Sequence, residues 1–149
     1  MAVSVEFQKQ ITDLVEESGI KRSELPNKMG IDYRSFSNAL NYGIIPKPRI
    51  LVRIADYFNI PLRYLLGQTE DDSFNKAPCS SNFNARLFSL CQEKDITYYK
   101  VSKDCHFDKS YISRWINKNY LPSLEIIDLL CDYFDVSPDY LLGRTDDKN

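Results

Sequence analysis

Lys109, Ser110, Ser113, Arg114 and Asn117 lie close together in one stretch, and their side chains offer only hydrogen-bond donors, acceptors and two cations. On an α-helix, Ser110, Ser113, Arg114 and Asn117 share a face, with Lys109 at its start. Such groups suit phosphate oxygens and base edges: a guanidinium or ammonium reads guanine O6 and N7, an amide reads adenine, and hydroxyls serve either. The surrounding stretch, Tyr98 to Asn117, reads as a helix, a tight turn and a second helix. Val101, Cys105, Phe107, Ile112, Trp115 and Ile116 fit two short apolar faces that meet across a corner at His106 to Asp108. Asp108 can accept from the next turn's N–H groups, so it is expected to cap a helix opening at Lys109.

The same pattern occurs twice. Phe7 to Asp72 aligns with Phe83 to Lys148 without a gap at an offset of 76, and 18 of the 66 positions are identical. They include Asp32/Asp108, Ser37/Ser113, Asn41/Asn117, Pro46/Pro122, the run Asp56-Tyr57-Phe58/Asp132-Tyr133-Phe134, and Tyr64-Leu65-Leu66-Gly67/Tyr140-Leu141-Leu142-Gly143. A gapless match of that length implies a tandem duplication of one module.

Each copy reads as five helices. In the first these are Val3 to Ser18, Arg22 to Met29, Tyr33 to Asn41, Pro48 to Phe58 and Leu62 to Leu66, with Gly19, Gly30 and Gly67 as stops. Ser123 and Ser137 are expected N-caps in the second, with Pro138 at a first helical position. No stretch alternates as a strand would, so the class is all-α. The boundaries are a first domain over 1–67, a polar linker over 68–82 and a second domain over 83–149. As a flexible chain, the 15-residue linker spans roughly 20 Å. Half-sites one duplex turn apart, about 34 Å, are then within its stretched reach.

Taken with Leu121-Pro122-Ser123 and the closing Asp139-Tyr140-Leu141-Leu142-Gly143, the helix-turn-helix pattern resembles the phage-repressor-like family (Cro and lambda-repressor-like, also called XRE). The resemblance implies two tandem five-helix helix-turn-helix domains and a sequence-specific, DNA-binding transcriptional regulator, a repressor of the mobile-element or phage kind. By position it puts the base-reading slots on Tyr33, Arg34, Ser37 and Asn38, and in the second copy on Lys109, Ser110, Ser113 and Arg114. Backbone contacts fall on Arg22, Asn41, Lys47, Tyr98, Asn117, Lys118 and Asn119. Two positions depart from the pattern. Pro26 sits where a small residue is expected and cannot bond back to Arg22, which predicts a kinked or shortened second helix. His106 replaces the turn glycine, where a left-handed backbone is expected.

The net charge of −2 hides an uneven distribution. Lys21 to Arg53 holds seven basic residues (Lys21, Arg22, Lys28, Arg34, Lys47, Arg49, Arg53) against Glu24 and Asp32, a balance of +5. The equivalent Thr97 to Leu129 holds Lys100, Lys103, Lys109, Arg114 and Lys118 against Asp104, Asp108, Glu125 and Asp128, or +1. Phosphate binding needs only the local patch, so the first copy should carry more of the salt-dependent attraction.

Cys91, Cys105 and Cys131 align with Val15, Met29 and Ala55, so they read as buried thiols, while Cys79 in the linker is expected to be exposed. Neither a metal nor a cofactor is expected. Trp115, opposite Ala39, reads as core. No glycine-rich phosphate loop, carboxylate pair or nucleophile with a base can be assembled, so the chain is not expected to be an enzyme. No apolar run is long enough to span a membrane, and the expected location is cytoplasmic. The expected partner is double-stranded DNA, with the family implying a homodimer. The rival reading is a helix-turn-helix scaffold turned to protein binding, as an antitoxin or a phage-encoded inhibitor of a nuclease or defence protein. The acidic total, Pro26 and the tyrosines Tyr42, Tyr99, Tyr111 and Tyr120 speak for it.

Overall fold

The computed structural model describes residues 2–79 and 81–149; Met1 and Ser80, which fall in the expected first domain and linker, lie outside the described residues. The chain divides into two compact units, Met1–Phe74 and Asn75–Asn149. The described residues form helices and no strand beyond two isolated bridges, so the all-α expectation holds.

The first unit contains α1 (Val5–Ser18), α2 (Leu25–Met29), α3 (Tyr33–Tyr42), α4 (Pro48–Phe58) and α5 (Leu62–Leu65). Phe7, Ile11, Leu25, Phe36, Leu51, Ile54 and Leu65 are its fully buried large side chains. They come from all five helices, so none can hide its apolar face without the others. α1 begins two residues later than expected. Ser4 caps it by accepting from the Phe7 N–H at 3.1 Å, while Val3, expected on the helix, instead bridges to Ile44 and is 66% exposed.

The second unit contains α6 (Phe83–Lys94), α7 (Tyr98–Asp104), α8 (Ser110–Lys118), α9 (Leu124–Phe134) and α10 (Pro138–Leu141). Ser123 and Ser137 cap α9 and α10 as expected, accepting from the Ile126 and Tyr140 N–H groups. α4 and α9, and α5 and α10, start and stop 76 positions apart. The left-handed residues among the described residues form pairs at that same offset: Gly19/Asp95, Gly30/His106, Gly43/Asn119, Asn59/Asp135 and Gly67/Gly143. At Gly67 and Gly143 no other residue would fit, because a Cβ would lie 2.9 Å or less from the backbone of Glu6 and of Ser81 respectively.

Where the copies differ, the cause is local. Pro26 lies in the first turn of α2, where a missing N–H is harmless, and residues 22–24 form turns instead of helix. α2 therefore has five residues against seven in α7, whose Thr97 hydroxyl caps its start by accepting from the Lys100 N–H at 3.1 Å. In the core, Phe36 and Ala39 are replaced by Ile112 and Trp115, which moves the large side chain one turn along the helix. Trp115 is 5% exposed and meets Phe83 and Phe107 at centroid distances of 5.5 and 5.4 Å.

Part of the stretch expected to be linker is hydrogen-bonded. Asn75 to Ala77 pair with the C-terminal tail: the Ala77 N–H donates to Arg144 O at 2.9 Å and the Thr145 hydroxyl to Asn75 O at 2.6 Å. Beneath them lies a buried Arg144–Asp139 pair, with the Arg86 guanidinium 4.2 Å from the Tyr140 ring centroid. Backbone groups at 75–77 thus find their partners within the second unit, which begins at Asn75, and residues 68–74 belong to the first.

Candidate nucleic-acid interface

α3 is set by its cap and its buried row. Asp32 Oδ2 accepts from the Ser35 N–H at 2.9 Å, and that bond holds the Asp32 carboxyl below the usual carboxylate range. Phe36, Ala39 and Leu40 are buried, which turns Arg34, Ser37, Asn38 and Asn41 to the other side of the helix. Arg34 and Asn41 are exposed, Ser37 and Asn38 half-buried, and Tyr33 is 64% exposed. Asn41 Nδ2 donates to Ser37 Oγ at 3.0 Å, so these two form one hydrogen-bonding unit.

α8 repeats the arrangement with a different opening. Asp108 Oδ1 accepts from the Ser110 N–H at 2.9 Å, and the helix starts at Ser110, one residue later than expected. Lys109 already has helical torsions but stands in the cap position. Ile112 and Trp115 are buried, and Ser110, Ser113, Arg114 and Asn117 are exposed on the opposite face. Ile116, expected in the apolar seam, is 41% exposed, because Ile112 and Trp115 fill the seam and Ile116 falls on its flank. His106 adopts φ 62 at the turn, as expected for the residue replacing Gly30.

The other nominated residues surround these helices. Arg22 lies in the turns before α2, Lys47 at the cap of α4, and Lys118 and Asn119 at the end of α8; all are exposed. Tyr98 opens α7 half-buried, and burial pushes its phenol up. None of the fifteen nominated residues is buried. The Tyr33, Arg34, Ser37 and Asn38 set lies within the first unit, and the Lys109, Ser110, Ser113 and Arg114 set within the second.

Other contacts were not foreseen. Arg53 Nη1 donates to Gly30 O and so fastens α4 to the turn between α2 and α3; its counterpart Leu129 cannot do this. The second unit instead has the Tyr133 hydroxyl donating to Asp104 Oδ2 at 2.6 Å, with Lys100 Nζ 3.2 Å from the same oxygen. Lys109 Nζ lies 5.9 Å from the Tyr99 ring centroid, and the Arg114 guanidinium 5.6 Å from that of Tyr111. Alignment of the two copies exposes the Arg53/Leu129 difference, but not which carbonyl Arg53 reaches.

Cys91, Cys105 and Cys131 are buried and Cys79 is exposed, as expected. Burial pushes the Cys91 thiol up to about 11. An open depression of about 310 Å³ lies between Phe88, Cys91 and Tyr98 in the second unit. Among the described residues no group of His, Cys, Asp and Glu could hold a metal ion, and no helix is long and apolar enough to cross a membrane.

Residues 87–141 match the helix-turn-helix family. The matching family model is of the Cro/C1, XRE-like type. This helix-turn-helix match runs from the second turn of α6 to the end of α10 and so takes in α7 and α8 entire, while residues 1–86 fall outside it. No curated protein and no solved structure matches the chain.

Proposed function

We propose that this chain is a sequence-specific DNA-binding transcription regulator, a repressor, made of two duplicated helix-turn-helix modules that read double-stranded DNA with α3 and α8. One observation carries the reading. In both helices a buried apolar row is opposed by a row of exposed or half-buried Arg, Ser and Asn side chains, at matching places in two copies of one module. The family match over residues 87–141 supports it for the second copy. The paired left-handed residues and the +5 balance around α3 support it for the first.

In this reading Tyr33, Arg34, Ser37 and Asn38, and Lys109, Ser110, Ser113 and Arg114, meet base edges in the major groove. Arg22, Asn41, Lys47, Tyr98, Asn117, Lys118 and Asn119 meet the sugar-phosphate backbone and set the register. The two reading sets differ, so the operator is asymmetric or only loosely palindromic. The resemblance to the family also supports a homodimer.

Alanine at Arg34 and at Arg114 tests it. Each is expected to weaken specific binding by about 1–3 kcal/mol and to relax the preference at one base position, whereas Lys47→Ala should weaken all sequences alike and lower the salt slope by about one. Unchanged specific binding in both arginine variants would overturn the assignment of these reading residues, whereas a chain with no specific DNA binding, whose activity survives both substitutions, would fit the rival reading, a protein-binding antitoxin or inhibitor.

A further inference from the structure

α3 and α8 end in different ways. An α-helix leaves its last four carbonyls without partners inside the helix. In α3 the Gly43 N–H donates to Ala39 O at 3.0 Å and the Ile44 N–H to Asn38 O at 3.3 Å, so the backbone closes its own end. In α8 no backbone N–H beyond Lys118 makes such a return among the described residues.

Into each end reaches an amide from the first helix of the same unit. Gln8 on α1 donates through Nε2 to Leu40 O at 2.9 Å, and Asn84 on α6 donates through Nδ2 to Trp115 O at 3.1 Å. The two are counterparts, 76 positions apart, and both are half-buried. Asn84 is one methylene shorter and meets a carbonyl whose counterpart, Ala39 O, is taken by the Gly43 N–H in α3. The Asn84 side chain thus stands in for a backbone donor that α8 lacks. Its Oδ1 is buried without a hydrogen-bond partner. An unpaired buried acceptor is costly, so an apolar side chain of that size would fill the space at less cost, and only the nitrogen gives the amide its use there.

The geometry points to Gln8 and Asn84 as positioning residues of the DNA-reading faces: each holds the last turn of its helix, and with it the angle at which Arg34 or Arg114 meets a base. The inference rests on the reading of α3 and α8 as the DNA-reading helices. The turns they hold carry Asn41 in the first unit and Asn117 and Lys118 in the second, the residues assigned to phosphates. Because the backbone already closes the end of α3, Asn84 carries more of the task than Gln8.

The test is fluorescence anisotropy of the full chain with a labelled duplex selected by this protein and, in parallel, with an unselected duplex. Gln8→Ala, Asn84→Ala, Asn84→Leu, which fills the space without a donor, and Asn84→Gln, which restores one, are compared at a temperature where Trp115 emission and thermal melting show every variant folded. Asn84→Ala and Asn84→Leu are expected to weaken the selected duplex by roughly five- to fiftyfold and Gln8→Ala by roughly two- to fivefold. The unselected duplex should change by less than about twofold in all of them, because loose phosphate contacts tolerate a tilted helix. Asn84→Gln should return selected binding to within about threefold of the native chain, its longer amide reaching the next carbonyl as Gln8 does. Three results would overturn the inference and leave the DNA-binding regulator intact: native affinity for the selected duplex in folded Asn84→Ala and Asn84→Leu, equal losses on both duplexes, or no recovery in Asn84→Gln. A native chain that selects no duplex overturns both readings.

Discussion

Asp104 and Tyr133 tie the first helix of the second helix-turn-helix to α9 with a contact that the first unit, with Lys28 and Tyr57, cannot make. The hydrogen bond to the carboxylate pushes the Tyr133 phenol up to about 12, and the same bond, with Lys100, holds the Asp104 carboxyl below its usual range. The raised phenol contributes stability that is complete below the ordinary tyrosine value near pH 10 and is lost as pH rises through about 12. The lowered carboxyl contributes above the ordinary carboxylate range and fades as pH falls through its own depressed value. An alkaline absorbance titration of the 10 tyrosines is therefore expected to include a late ionisation near pH 12, and Asp104→Asn should move it to lower pH. A titration that Asp104→Asn leaves unchanged would refute the contact. The thiols give a second check: a disulfide reagent at mildly alkaline pH should modify Cys79 quickly in the native chain, and Cys91, Cys105 and Cys131 only on unfolding.

The short helices around the turns show how one side chain sets an element's length. Pro26 is accommodated because its helix starts next to it, whereas Ser102, at the equivalent position, lies in the middle of α7 and donates to Tyr99 O at 2.7 Å. Ser102→Pro should therefore remove a helical bond, shorten α7 and cost about 3 kcal/mol in urea unfolding of the second unit; a loss below about 1 kcal/mol would contradict this account of α2. The shortening at Pro26, the left-handed turn at His106, the serine caps and the buried Trp115 were all legible in the sequence, because each follows from a single residue's local chemistry. The start of α1 was not, since Ser4 outcompetes the apolar Val3 only by supplying a cap. Nor was the docking of Asn75 to Ala77, because pairing with a tail some 70 positions away leaves no periodicity in either segment. The outward rows of α3 and α8 were legible, since a buried row determines its opposite. The cation–ring contacts and the Arg53 bond to Gly30 depend on side-chain paths that spacing does not encode.

Across the whole chain, charge and contact chemistry are divided unevenly between two similar units. The first gathers a +5 balance around α3 and its following loop; the second has +1 around α8, and both carry exposed tyrosines, Tyr33 and Tyr42 in the first and Tyr99, Tyr111 and Tyr120 in the second. The helix-turn-helix match covers 87–141, while the first unit has the same helix order and left-handed turns at the same offset. In the proposed function this charge imbalance gives the first unit the larger share of the salt-dependent attraction to duplex DNA. The central claim is that this chain reads a DNA sequence, and the most direct measurement is selection from a random duplex library with the purified full chain at two salt concentrations. The account predicts one enriched, asymmetric motif whose affinity falls about a thousandfold between 50 and 200 mM salt. If no motif emerges and binding is feeble even at the lower salt, the claim is contradicted, and the exposed faces of α3 and α8 serve a protein partner instead.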